Sequence, residues 1–159
     1  MTHRSGFTFI ELIVGMGVFA TLVGLATVNL LGVQRKSSLT ATIDTLIADI
    51  KEQQIKAITG DTFGGGQSSY GIYFGPGQYV LFAGGTYHPN DSTNAMIPLD
   101  TNVVFSSINF PDTSVVFASG SGEIINFNSQ AHTVTLLQVH SGEGKTIDIN
   151  RYGVVTSVN

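Results

Sequence analysis

Between Phe7 and Gln34 the one ionisable side chain is Glu11. A lone carboxylate inside an apolar stretch is costly away from water, so it needs a partner. The residues in front of it suggest one. Gly6 precedes Phe7, and cleavage between them would give Phe7 a free ammonium group. Phe7 and Glu11 stand four residues apart, a spacing that puts both on one face of a helix. The chemistry on offer is peptide cleavage after Gly6 and charge pairing by Glu11.

The element that must position these groups is a long helix. Residues 12–33 make an apolar run of 22 residues, and a membrane-crossing helix takes roughly 20. A removed secretory signal has an apolar core of only about 7–15 residues with a small-residue cleavage site behind it. Here the small-residue candidate stands in front of the run. A plain anchor accounts for the length but gains nothing from Glu11 near its start. Charge counting does not orient the segment, because Arg4 precedes the run while Arg35 and Lys36 follow it. Further on, Leu39, Ile43, Leu46, Ile47, Ile50 and Ile58 recur at spacings of three and four, with a longer gap at Gln54. That is the apolar stripe of an amphipathic helix. Gly60 supplies a stop, since glycine takes a left-handed cap conformation without strain. The spacing predicts a helix over residues 7–58, apolar all round in its first half and amphipathic in its second.

The run Gly6, Phe7, Thr8, Phe9, Ile10, Glu11 ahead of an apolar helix resembles the class III leader junction of type IV pilins and type II secretion pseudopilins. The resemblance implies that a prepilin peptidase cuts between Gly6 and Phe7, and that Phe7 is then N-methylated. It implies that Glu11 pairs with the N-terminus of a neighbouring subunit during filament assembly. The implied partners are other pilin or pseudopilin subunits, the prepilin peptidase, an inner-membrane assembly platform, and membrane lipid before assembly. The leader would be cytoplasmic, the helix a single pass through the bacterial inner membrane, and the body extracytoplasmic. No proline occurs between Phe7 and Thr59, where major pilins often carry one, so a minor subunit is implied.

Composition bounds the remainder. Nineteen glycines, ten phenylalanines and five tyrosines suit a β-rich body with many tight turns. There is no cysteine, so no disulfide holds it. Net charge is −4, and no lysine or arginine occurs between Ala57 and Gly144, which argues against a nucleic-acid footprint. Strands are predicted over residues 70–74 and 78–83, flanking the turn Gly75, Pro76, Gly77. Further strands are expected over 103–105, 115–117, 124–127, 133–139, 146–149 and 154–158. Residues 64–66 and 84–98 read as loops. Short connections predict antiparallel meander pairing.

The fold class expected is α+β and pilin-like: a long N-terminal helix packed on an antiparallel β-sheet body. The expected divisions are a cleaved leader (1–6), a transmembrane and assembly helix (7–33), its amphipathic continuation (34–60) and a β-rich body (61–159). This order of elements resembles the GspH/FimT branch of pseudopilins and minor pilins.

No constellation for catalysis emerges from the body. Ser141 to Thr146 imitates the end of a phosphate-binding loop, but Val139 stands where that motif needs glycine, and the segment lies between strands. Gly120, Ser121 and Gly122 fall short of a nucleophile elbow by one residue on each side of the serine. His88, His132 and His140 lack the spacing of a metal trio, and His132 and His140 read as solvated strand ends. Asp91, Asp100 and Asp112 read as turn aspartates without the order of a calcium loop. Asn90, Asp91 and Ser92 fit a glycosylation sequon. No catalytic residue, metal or cofactor is therefore expected. Two function classes lead: a structural subunit of a pseudopilus or pilus, and a DNA-binding minor pilin acting in DNA uptake. The second has only Lys145 and Arg151 as C-terminal bases, set among Glu143 and Asp148. A membrane-tethered enzyme stands third.

Overall fold

The computed structural model describes residues 6, 8–60, 68–125 and 127–159, with the side chains of residues 26–37 left outside that description. Residues 1–5 of the expected leader (1–6), Phe7 and the loop at 64–66 lie outside the described residues. The chain divides into two compact units, Met1–Lys36 and Ser37–Asn159. Helix α1 (Phe9–Thr59) contributes to both. Among the described residues eight strands follow: β1 (Tyr70–Gly75), β2 (Gln78–Ala83), β3 (Ala95–Pro98), β4 (Val103–Asn109), β5 (Ser114–Phe117), β6 (Thr133–Gln138), β7 (Gly144–Ile149) and β8 (Val155–Val158). A single 3-10 turn, Pro111–Thr113, separates β4 from β5. The architecture is α+β, with antiparallel sheets.

In the first unit, the described apolar side chains of α1, among them Phe9, Leu12, Met16, Phe19 and Leu25, are all exposed. A helix that is apolar all round is normally covered by something. Among the described residues no helix is long and apolar enough to cross a membrane. The expected span of residues 7–33 runs on into residues whose side chains are not described.

In the second unit, two four-stranded sheets share one core with the end of α1. Their orders are β3-β2-β1-β5 and β4-β6-β7-β8, and every pair is antiparallel. Alternation sets the buried faces: Ile72 and Phe74 from β1, Val134 and Leu136 from β6, and Ile147 and Ile149 from β7 meet Leu39, Ile43, Leu46 and Ile50 of α1. The hairpin between β1 and β2 forms as predicted, with Gly75 opposite Gln78 and Gly77 at φ 72. A positive φ after proline is what a type II turn requires. Gly60 ends α1 as expected, at φ 69, its N–H donating to the Lys56 carbonyl at 3.1 Å.

Four expectations need correction. The buried stripe of α1 does not end on Ile58, which is 45% exposed; it runs Leu39, Ile43, Leu46, Ile50, Gln53, Ala57. That alternation of four and three keeps the 3.6-residue period, and Ile58 lies one position round from it. Residues 95–98 belong to β3, not to a loop. Four residues are too few to show a period, and β3 gains its structure by adding to the outer edge of β2. Of the strand expected over 124–127, residues 124, 125 and 127 form none, and Asn126 lies outside the described residues; Ile124 makes an isolated bridge to Phe117. The N–H of Ile124 goes to the Arg151 carbonyl and that of Ile125 to Val116, so two different segments divide what a single ladder would need. Finally, the meander holds only for neighbouring hairpins. β1 pairs β5 and β4 pairs β6, and these non-local pairings split the body into two sheets.

Candidate functional site

The N-terminal site is built on the first turn of α1. Thr8 precedes the helix, and the Leu12 N–H donates to its carbonyl at 3.2 Å. The Glu11 N–H donates to Thr8 Oγ1 at 3.4 Å, and the Thr8 N–H donates back to Glu11 Oε2 at 2.9 Å. The Thr8 hydroxyl also donates to Oε2, at 2.7 Å. This is a capping box, a reciprocal exchange that satisfies donors left over at a helix start. Threonine three residues before a glutamate, ahead of an apolar run, is its signature, and the sequence reading did not use it. Glu11 is thus not a bare carboxylate. One oxygen is held by Thr8, while Oε1 accepts nothing from the described residues. Gly6 is exposed ahead of the helix, and a Cβ built there meets nothing. Phe7 is not among the described residues.

In the second unit, α1 is tied to the body by polar groups as well as by its stripe. Tyr79, in the core, donates its hydroxyl to Asp49 Oδ2 at 2.5 Å. Burial first, and the Asp49 carboxylate second, push the Tyr79 phenol well above its ordinary range. Gln54, the expected gap in the stripe, donates from Nε2 to the carbonyls of Gly122 and Tyr152.

The remaining candidates fall apart in space. Among the described residues no group of His, Asp or Glu side chains is placed to hold a metal ion. His132 is half-buried and lies 3.0 Å from Asp148, so it is not the solvated strand end expected. The imitation phosphate loop forms the hairpin between β6 and β7. There Gln138 Oε1 accepts the N–H groups of His140 and Ser141, and Gly142 turns at φ 69. Asp91 and Asp100 serve their own turns, accepting from Thr93 and Asn102. Backbone and hydroxyl bonds from Thr93 hold the Asp91 carboxyl below its ordinary range. Arg151, one of the two C-terminal bases, is ion-paired with Glu123 at 3.2 Å.

A cavity of about 240 Å³ opens on the face of the β3-β2-β1-β5 sheet that points away from the core. Cross-strand partners share a face, so Tyr73 of β1 and Ser114 of β5, paired in register, line it together. Tyr87, from the loop after β2, stacks on Tyr73 with centroids 4.2 Å apart. Asp112 and Thr113, at the cavity rim or beside it, have φ of 51° and 49°. Such values are uncommon outside glycine and strained for a β-branched residue.

Residues 1–27 match the family model of the prokaryotic N-terminal methylation motif. The matched segment contains Gly6, Phe7, Thr8 and Glu11 and ends before the β body. No curated protein and no solved structure matches the chain. The N-terminus therefore carries a prokaryotic N-terminal methylation motif, which runs into a long helix.

Proposed function

We propose that this chain is a structural, non-enzymatic subunit of a type II secretion pseudopilus or a type IV pilus, in the position of a minor pseudopilin or minor pilin. Prepilin peptidase removes residues 1–6, Phe7 is methylated, and residues 7–33 anchor the subunit in the inner membrane before assembly. The observation that carries the reading is Glu11 inside the methylation motif, at the head of a helix whose described apolar side chains are exposed. Thr8 occupies one carboxylate oxygen, which lowers the cost of holding the charge in lipid. Oε1 is left for the ammonium of Phe7 on a neighbouring subunit, and methylation leaves that charge in place. An assembly platform and other pilin subunits are the partners. The DNA-uptake reading is weaker, since Arg151 is already paired with Glu123.

Co-purification of tagged wild-type and Glu11→Leu subunits with the filament tests the proposal. Glu11→Leu is expected to be cleaved and to fold its body, since no body residue contacts Glu11 among the described bonds. It is expected to be lost from the filament. Equal incorporation of the two refutes the pairing mechanism.

A further inference from the structure

Outside the N-terminal site, the feature that suggests a ligand is the cavity on the outer face of the β3-β2-β1-β5 sheet. Tyr73, Thr86, Tyr87, Asp112 and Ser114 line it, and no side-chain oxygen of these five bonds another described residue. Several turn side chains elsewhere are spent locally: Asp91 on Thr93, Asp100 on Asn102, Gln138 on His140, and Asn150 on Tyr152 and Val154. Here four hydroxyl-bearing residues and an aspartate line one cavity, and two of them, Tyr73 and Tyr87, stack their rings. Backbone strain at Asp112 and Thr113 accompanies the same rim, and strain of this kind clusters at ligand clamps.

We propose that this cavity binds a single neutral saccharide ring. The chemistry selects that class. Hydroxyls both donate and accept, so four of them suit a ligand that does the same. The Asp112 carboxylate accepts from two neighbouring sugar hydroxyls and repels anions. No lysine or arginine lines the cavity to offset a phosphate or carboxylate. The Tyr73 and Tyr87 rings supply the apolar surface on which the C–H face of a sugar rests. Size sets the ligand at one ring: about 240 Å³ is below the ~300 Å³ at which pockets for drug-sized ligands begin. A ring of about a dozen heavy atoms held without charge pairing binds with a Kd on the order of 1 mM. The site lies wholly in the second unit, between Tyr73 and Ala131, and does not depend on how the N-terminus assembles.

The test is saturation-transfer NMR on the full chain in micelles of an amine-oxide detergent, which carries no sugar headgroup. The probes are D-glucose, D-galactose, D-mannose and N-acetyl-D-glucosamine, each at about 20 mM, well above the expected Kd. Transfer to the ring protons of at least one sugar is expected, undisturbed by equimolar inorganic phosphate. Asp112→Asn is expected to weaken that sugar about fivefold, the difference between a charged and a neutral acceptor. Asparagine tolerates the left-handed backbone at this position, so the unfolding midpoint of the variant should hold, and reduced binding then reports the lost carboxylate. Tyr87→Ser is expected to abolish transfer. Absence of transfer from all four sugars, displacement by phosphate, or transfer unchanged in both variants overturns the proposal.

Discussion

Replacing Tyr79 by phenylalanine removes one oxygen atom and with it a tie between α1 and the sheet. Tyr79 is 1% exposed, and its hydroxyl reaches Asp49 Oδ2 at 2.5 Å, thirty residues earlier in the chain. A hydrogen bond to a charged group contributes about 1.5–3 kcal/mol. Asp49 is only half-buried and keeps some water, so the discounted loss is about 1–2 kcal/mol. For a body of this size that lowers Tm by about 3–10 °C. The pH dependence gives a second, independent reading. The folded phenol has its pKa raised above the unfolded value of about 10. Its contribution is therefore complete below pH ~10 and is lost as pH rises through the folded value. Phenylalanine has nothing to titrate. The stability gap between wild type and Tyr79→Phe should consequently be widest near neutrality and narrow above pH ~10. Urea unfolding followed by circular dichroism, repeated from pH 7 to about pH 11.5, measures the gap. Phenol absorbance should show one more tyrosine ionising together with unfolding in the wild type than in Tyr79→Phe. A gap that stays constant across this range, or a variant as stable as wild type at pH 7, refutes the pairing.

Two further outcomes are expected. Intact mass of protein purified from membranes of a prepilin-processing host should show loss of residues 1–6 and gain of one methyl group, and Gly6→Glu should retain the leader; a processed Gly6→Glu chain refutes the assigned cleavage point. Gly153→Ala should destabilise the body by about 2–5 kcal/mol in urea unfolding, because Gly153 sits at φ 73 and a Cβ there falls 2.7 Å from Cε1 of the buried Phe117 ring; a loss below about 0.5 kcal/mol shows that the turn before β8 relaxes freely.

What the residues decide by themselves is local. The methylation motif over residues 1–27, with Gly6, Phe7 and Glu11 inside it, is legible because such a motif needs only a few neighbouring residues. The helix stop at Gly60 and the turn at Gly77 follow from a backbone sign that glycine adopts freely. Alternation places Ile72 and Phe74 on one face of β1 whichever strand lies beside it. The capping box is written in the same short range, as Thr8 and Glu11. Tertiary structure decided everything that depends on a second segment. Nothing in the period of β5 says that it pairs β1 and not β4, since both choices bury the same residues. β3 exists only because β2 offers it an open edge, and Ile124 and Ile125 do not begin a strand because two partners divide their N–H groups. Ala57 displaces Ile58 from the core because helical phase, and not hydrophobicity, selects the face that meets the sheets. The tie between Tyr79 and Asp49, and the cavity wall that brings Tyr73 and Asp112 together, join residues tens of positions apart. Sequence spacing carries no signal over such distances, because chain folding, and not local geometry, brings those groups together.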